Sequence, residues 1–76
     1  MTTMSFTPAA MQCVLIFTQL LRRRAERGLT QAEVAERIGV SRVTLARWEG
    51  GYREPTMSQL LKWMAALDGR LVPEWM

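Results

Sequence analysis

Helix start signals recur at short intervals in this chain of 76 residues, and they limit every helix after the first to a few turns. Thr30 and Glu33 have the spacing of a capping box, in which each side chain accepts a hydrogen bond from the other residue's backbone amide. Thr56 and Gln59 repeat that pattern. Ser41 precedes another apolar segment and is a favourable N-cap residue. Three short helices are therefore predicted after residue 30.

The helix ends are marked as clearly as the starts. Pro8 fits the first position of a helix, which we expect over about residues 8–27. Leu71 and Val72, which stand before Pro73, predict a short extended segment suited to an edge. Glycines that can end a helix follow the four helical segments, at positions 28, 39, 50 and 69. We therefore expect an all-α fold, a compact domain of four to five helices followed by a short extended C-terminal tail.

The length permits one domain over residues 1–76, with an apolar N-terminal extension at 1–13 and a C-terminal tail at 69–76. A chain this short buries only about 60% of its unfolded surface, so we expect oligomerisation to help stabilise it. The single cysteine, Cys13, and the absence of histidine exclude an intrachain disulfide and a Cys/His zinc site. We expect no metal, no cofactor and, because the commonest general base is missing, no enzymatic activity.

The charge is concentrated in the middle of the chain. Lysine and arginine total 10 against 7 acidic residues, which gives a net charge of +3 and a pI of about 10.0. The first 21 residues carry no charged side chain, whereas residues 22–53 contain eight arginines and four glutamates. A basic chain of this size indicates a polyanionic partner. No run of about 20 apolar residues predicts a membrane span, and without an export signal we expect a cytoplasmic protein.

Apolar residues at intervals of three and four predict the buried faces of the last two helices. Trp48 follows Leu45 by three residues, so we expect it in the core rather than stacked on a base. Cys13 lies in an apolar segment and is expected to be a small buried residue. The predicted buried face of the last helix consists of Leu60, Trp63, Met64 and Leu67.

The most informative segment is 30–50, in which two short helices meet at Gly39. A glycine there can adopt the left-handed backbone that a sharp turn needs. If the second helix buries its apolar residues, its outer face is hydrogen-bonding and cationic. That face consists of Ser41, Arg42, Thr44, Ala46 and Arg47. A helix of this size fits the major groove of B-DNA, and arginine suits the acceptor edge of guanine.

The sequence GLTQAEVAERIGVSRVTLARWEGGYREP resembles the helix-turn-helix family of phage repressors and Cro proteins, which includes XRE-like bacterial regulators and small antitoxins. The resemblance covers about residues 16–67. It is carried by Gly28-Leu29-Thr30-Gln31, Ala35, Gly39-Val40-Ser41, Trp48-Glu49, and Arg53 with Pro55. It implies a repressor-like DNA-binding domain whose recognition helix lies at about 41–49.

The resemblance also implies roles for individual residues. Gln31 is expected to bind phosphate and brace the recognition helix, and Arg53 to hold phosphate in the following loop. Arg24 and Glu49 are expected to form a buried ion pair that joins the first helix to the third. Residues expected to face bases or the flanking backbone are Arg42, Val43, Thr44 and Arg47. Ser41, from the exposed face, completes this part of the candidate DNA-binding site.

Tyr52 stands where a basic or small polar residue is common in the resembled family. Two roles of Tyr52 are open, a hydrogen bond to phosphate and a simple exposed loop aromatic, and we include Tyr52 among the candidate DNA-binding residues.

Two functions of the protein remain open as well. The first is a sequence-specific regulator, a repressor, of a double-stranded DNA operator. The second is an antitoxin that represses its own operon and also binds a toxin protein.

The first helix is apolar on more sides than one domain core can cover. We expect the core to use the side that carries Ile16, Phe17 and Leu20. The remaining apolar surface and the tail predict a homodimer. Its candidate contact residues are Met11, Val14, Leu15, Leu71, Val72 and Trp75. The alternative is a monomer whose tail folds back over its own first helix.

Overall fold

The computed structural model describes residues 8–69, and all regular secondary structure in this range is helical. The helices are α1 (Pro8–Glu26), α2 (Gln31–Ile38), α3 (Arg42–Glu49) and α4 (Met57–Ala66). The all-α prediction with four helices is confirmed, and α1 ends one residue earlier than predicted. No helix in this range is long and apolar enough to cross a bilayer. The extended segment predicted near residue 71 lies outside the described residues.

Both predicted capping boxes are present and explain where α2 and α4 begin. The Glu33 amide donates to the Thr30 hydroxyl over 3.0 Å, and the Thr30 amide donates to the Glu33 carboxylate over 2.8 Å. Thr56 and Gln59 form the same two bonds, at 3.1 and 2.8 Å. Each pair satisfies two backbone donors that have no partner within the helix. The local sequence therefore fixes the start of both helices.

The end of α4 differs from the prediction. The helix ends at Ala66, and the left-handed residue after it is Asp68, with φ 61°, rather than Gly69. Aspartate is one of the few residues apart from glycine that adopts this conformation readily. Its carboxylate also forms an ion pair with Arg27, at the end of α1. The amide of Gly69 then donates to the carbonyl of Met64 over 2.8 Å, which closes the turn.

The core lies where α1, α3 and α4 meet around α2. α2 packs against both α3 and α4, and α1 packs against α3. The Trp63 ring lies between Phe17 and Trp48, with ring centroids 5.8 and 5.6 Å away. Both tryptophans belong to the core, as predicted. The buried residues are Phe17, Leu20, Val34, Ala35, Ile38, Leu45, Trp48, Trp63 and Leu67.

Four residues predicted to lie in the core are only half-buried, namely Cys13, Ile16, Leu60 and Met64. Leu60 and Met64 pack at the border of the core, because Trp63 and Leu67 fill the space between α4 and the other helices. Cys13 is half-buried because the other described helices cover α1 mainly from Phe17 toward its C-terminal end. The first turns of α1 therefore extend beyond the compact core.

An ion pair joins the end of α1 to the end of α3. Arg24 Nε donates to Glu49 Oε2 over 2.7 Å, and Arg24 Nη2 donates to Glu49 Oε1 over 3.1 Å. Arg24 Nη1 also donates to the Leu29 carbonyl over 2.9 Å. The Glu49 side chain is only 2% exposed and that of Arg24 is 17% exposed. The two residues expected to pair from the sequence are thus in bidentate contact, largely shielded from water.

We expect Glu49→Ala to destabilise the domain by about 3–5 kcal/mol, because Arg24 would keep its charge without its buried partner. In a domain of this size, such a loss lowers the melting temperature by about 12 °C or more. Thermal unfolding followed by circular dichroism measures the shift. Glu54→Ala is the matched control, since Glu54 is exposed and makes no ion pair within the described range. A Glu49→Ala shift equal to that of the control would show that the pair contributes nothing.

The capping box of α2 should make the stability of the domain depend on pH in the acidic range. The backbone amide of Thr30 donates to the Glu33 carboxylate, and this hydrogen bond lowers the pKa of that carboxyl. A hydrogen bond with the Thr30 side chain lowers the pKa further, by a smaller amount. A lowered pKa stabilises the fold fully above the ordinary glutamate pKa, and this stabilisation is lost as the pH falls through the lowered value. Melting temperatures across the acidic range should therefore fall less steeply for Glu33→Gln than for the unchanged protein. Glu36→Gln, on the same helix but outside the capping box, is the matched control for the change of side chain.

Candidate nucleic-acid interface

The turn between α2 and α3 sets the angle of the exposed helix. Gly39 has φ 90°, a conformation that a side chain would strain. The amides of Gly39 and Val40 both donate to the carbonyl of Ala35, over 2.9 and 3.0 Å. Ala35 itself is buried against the neighbouring helices. The chain therefore turns within the three residues 39–41 that separate α2 from α3.

α3 buries one face and exposes the opposite one. Leu45 and Trp48 are fully buried against the other helices. The charged side chains Arg42 and Arg47 are exposed, and Val43 is about half exposed. The sequence also predicted that Thr44 and Ala46 would be exposed, but both are half-buried. They lie at the border of the buried face, where the packing of α3 on the domain partly covers them.

Ser41 and Thr44 bind each other at the start of α3. The Thr44 amide donates to Ser41 Oγ over 3.0 Å, and the Ser41 hydroxyl donates to Thr44 Oγ1 over 2.9 Å. Ser41 is therefore occupied as the N-cap of α3. The Thr44 hydroxyl accepts from Ser41, so its own hydrogen is left to donate to an outside acceptor.

Gln31 connects the buried ion pair to the exposed helix. Its Nε2 donates to Glu49 Oε1 over 2.9 Å, and its Oε1 accepts from Arg42 Nη1 over 3.3 Å. A continuous chain of polar contacts therefore leads from Arg24 through Glu49 and Gln31 to Arg42. The amide of Gln31 keeps one unused hydrogen for an external acceptor such as a phosphate. The sequence implied that Gln31 braces α3 but gave no indication that Arg42 is held by it.

The turn after α3 presents two more candidate residues. The Tyr52 amide donates to the carbonyl of Arg47 over 2.9 Å, and the Tyr52 side chain is 87% exposed. Its ring lies directly against Gly50, where an added Cβ would be only 2.9 Å from two ring carbons. Gly50 has a right-handed conformation, so a side chain here would require only that the exposed Tyr52 ring move aside. Sequence reasoning missed this contact, since only the spacing of Gly50 and Tyr52 hints at it.

Three exposed arginines surround α3 on its outer side. The Arg42 side chain is hydrogen-bonded to Gln31, whereas the side chains of Arg47 and Arg53 form no hydrogen bond or ion pair with any residue in the described range. Glu54 is the exposed acidic residue next to Arg53. The surface around α3 is therefore cationic and carries hydrogen-bond donors, which suits a polyanion.

The candidate dimer residues fall into two groups. Met11, Val14 and Leu15 are large apolar side chains on α1 and are about half exposed, at 47, 47 and 54%. Their spacing of three and four places them on one side of the helix. The other group, consisting of Leu71, Val72 and Trp75, lies outside the described residues.

The comparisons with known proteins agree with this geometry. The family model described as "Helix-turn-helix" matches residues 20–72, which is most of the chain. A solved structure titled "Toxin-Antitoxin module from Streptococcus pneumoniae" is similar, with a TM-score of 0.70 and 32% identity. The alignment covers 91% of this chain and 82% of that one. A search of curated proteins finds no significant match.

The matched range contains α2, the Gly39 turn and α3, and these are the parts that give the family its name. The family model covers well over half of the chain, and the similar solved structure shares the fold over 91% of this chain. This protein therefore belongs to the helix-turn-helix family of DNA-binding transcriptional regulators of the XRE type.

Proposed function

We propose that this protein is a sequence-specific regulator, a repressor, that binds a double-stranded DNA operator as a homodimer in the cytoplasm. One observation carries the proposal above all. α3 is fixed to the domain by Leu45 and Trp48, while Arg42 and Arg47 remain exposed on its other side. A rigid helix with a cationic outer face can enter the major groove and donate to base edges.

The proposal divides the site residues by what they contact. Residues on the exposed side of α3 face base edges or the adjacent backbone, namely Arg42, Val43, Thr44 and Arg47. Residues at its ends and in the neighbouring turns bind phosphate and set the register on the duplex, namely Gln31, Tyr52, Arg53 and, through its backbone amide, Ser41. Contacts with phosphate position a protein but carry no sequence information, whereas contacts with base edges do.

Replacing Arg47 and replacing Arg53 should have different consequences for DNA binding. Arg47→Ala should weaken binding to the cognate operator by about 1–3 kcal/mol and relax the base preference at one position. Arg53→Ala should weaken cognate and random DNA about equally, and should reduce the slope of log K against log salt by about 1. Both residues are exposed arginines whose side chains have no partner in the described range, so each serves as the control for the other.

Competition binding at fixed salt, after selection of the operator from a random DNA library, measures both effects. Equal losses on cognate and random DNA for Arg47→Ala would contradict a base-reading role. Failure of the unchanged protein to enrich any sequence would contradict the whole proposal.

The homodimer rests on the unused apolar side of α1. At 3.6 residues per turn, Met11, Val14 and Leu15 lie roughly opposite the side that buries Phe17 and Leu20. No charged side chain occurs in the first 21 residues, so two copies of this surface would not repel each other. Pairing α1 with its copy would bring two α3 helices into one assembly. Dimers of this class bind half-sites about 34 Å apart, which is one turn of DNA.

A charge placed in the apolar stripe should produce a monomer. Leu15→Asp puts a carboxylate in the proposed contact, where burial without a partner is costly. Sedimentation equilibrium at micromolar concentration should give the mass of a dimer for the unchanged protein and of a monomer for the variant. Gln12→Asp is the matched control, since Gln12 is exposed on the same turn but lies outside the stripe. A monomeric unchanged protein, or a dimeric Leu15→Asp variant, would contradict this interface.

A second candidate function is that of an antitoxin. The observation that favours it is the similarity to the toxin–antitoxin module, at 32% identity over 91% of this chain. In this case the protein would bind a toxin protein in addition to its own operator. Expression of the adjacent gene alone and together with this chain tests it. Growth arrest that co-expression relieves, with co-purification of the two proteins, would support the antitoxin. If expression of the neighbouring gene has no such effect, the antitoxin function is contradicted and the regulator function is the one that stays.

A further inference from the structure

A groove runs along α1 toward the end of α4, on the side of the molecule where the described chain ends. It has a volume of about 640 Å³. Its apolar floor consists of Ile16, Leu20, Met64 and Leu67. Its rim carries the charged side chains of Arg22, Arg23 and Glu26. An apolar floor with a charged rim is suited to an extended peptide that alternates apolar and charged residues.

The chain enters this groove directly. Gly69, the last described residue, is part of the groove wall. The turn before it is fixed by the left-handed conformation of Asp68 and by the ion pair of Asp68 with Arg27. Arg37 also donates to the carbonyl of Ala66 over 3.2 Å, which holds the end of α4. The position from which residue 70 continues is therefore set by contacts on two sides.

The residues that follow Gly69 are complementary to the groove in apolar surface and in charge. Residues 70–76 read RLVPEWM, with four large apolar residues and two charges of opposite sign. Arg70 comes first, close to the end of the groove at which Glu26 lies on α1. Glu74 comes four residues later, toward Arg22 and Arg23, whose side chains form no ion pair or hydrogen bond in the described part of the chain. The order of charges in the segment matches their order on the rim.

The lengths also agree. The groove follows α1 from residue 16 to residue 26, which is about 15 Å at the rise of an α-helix. The seven residues after Gly69 span at most about 25 Å when extended, which is enough to cover the groove. The tether makes docking intramolecular, at an effective concentration in the millimolar range, so weak contacts are sufficient. We infer that the segment 70–76 docks in its own chain's groove, with Glu74 beside Arg22 and Arg23 and Trp75 on the apolar floor.

Docking in this manner leaves Met11 and Val14 uncovered, because neither of them lines the groove, whereas Leu15 lies one turn before the groove residue Gln19. The inference does not depend on DNA binding. It also separates the two candidate dimer groups, because Leu71, Val72 and Trp75 would be used within one chain, and Met11 and Val14 between chains.

Quenching of tryptophan fluorescence by acrylamide tests the inference. Trp48 and Trp63 are buried, so quenching in the folded protein reports mainly on Trp75. The Trp75→Phe variant gives the contribution of Trp48 and Trp63, and the quenching constant of Trp75 obtained by difference should be well below that of a free tryptophan derivative in the same buffer. A constant equal to that of the free derivative would overturn the inference.

Charge reversal identifies the rim contacts. Arg23→Glu should lower the docking equilibrium constant about two- to fivefold, the usual range for an exposed ion pair, and quenching should rise. The added change Glu74→Arg should restore protection. Arg53→Glu has the same change in net charge at a distant turn and should leave quenching unchanged. Equal effects of Arg23→Glu and Arg53→Glu, or no restoration in the double variant, would contradict docking at Arg23.

An isotope-filtered NMR experiment on a mixed sample distinguishes the docked segment of the same chain from that of a second copy. One population carries ¹³C labels and the other does not. Nuclear Overhauser contacts between the Trp75 ring and the Met64 methyl group within labelled chains would support the inference. Contacts found only between labelled and unlabelled chains would overturn it and indicate an exchanged tail. The absence of both would overturn it as well.

Discussion

The Glu49 carboxylate is the point on which the geometry of the helix-turn-helix depends. It accepts two hydrogen bonds from Arg24 and one from Gln31, so three helices meet at a single, nearly buried charge. A buried ion pair is costly to form, because both groups lose hydration, and removal of one partner leaves the other without compensation. Here the cost is reduced by three hydrogen bonds to the carboxylate. What results is a defined orientation of α3 relative to α1 and α2.

The remaining rigidity comes from a small aromatic core. Trp63 packs between Phe17 and Trp48, so one side chain from α4 holds residues from α1 and α3. Large aromatic groups bury much apolar area per residue, which matters in a chain with neither a disulfide nor a long core. The Trp63 Nε1 atom is buried without a hydrogen-bond partner in the described part of the chain. The packing of the ring evidently outweighs the desolvation of that one donor.

Features decided by neighbouring residues could be predicted from the sequence, and features decided by distant contacts could not. The capping box of Thr30 and the turn at Gly39 depend on local hydrogen bonds and backbone angles, and both are present. Asp68, rather than Gly69, takes the left-handed conformation beside Arg27, which is 41 residues away in the chain. The link from Gln31 to Arg42 likewise requires α2 and α3 to be placed first.

The same distinction applies to the candidate site. The exposed cationic side of α3 follows from the positions of Leu45 and Trp48, because burying them leaves the arginines outside. The partial burial of Thr44 depends on how closely α3 approaches its neighbours, which no periodicity specifies. The contact of Tyr52 with Gly50 depends on a side-chain rotation in an irregular turn.

The hydrogen bond between Gln31 and Arg42 has a consequence for how the operator preference of such a protein can evolve. A substitution at position 42 would remove the donor that Gln31 Oε1 uses. It would therefore take a hydrogen bond away from a side chain of α2 as well as change the surface of α3. Arg47 has no such connection in the described range. Positions 31 and 42 should therefore vary as a pair among descendants of this sequence, with one change permitting the other. Position 47 can vary alone, and it offers the shorter mutational path to a new operator.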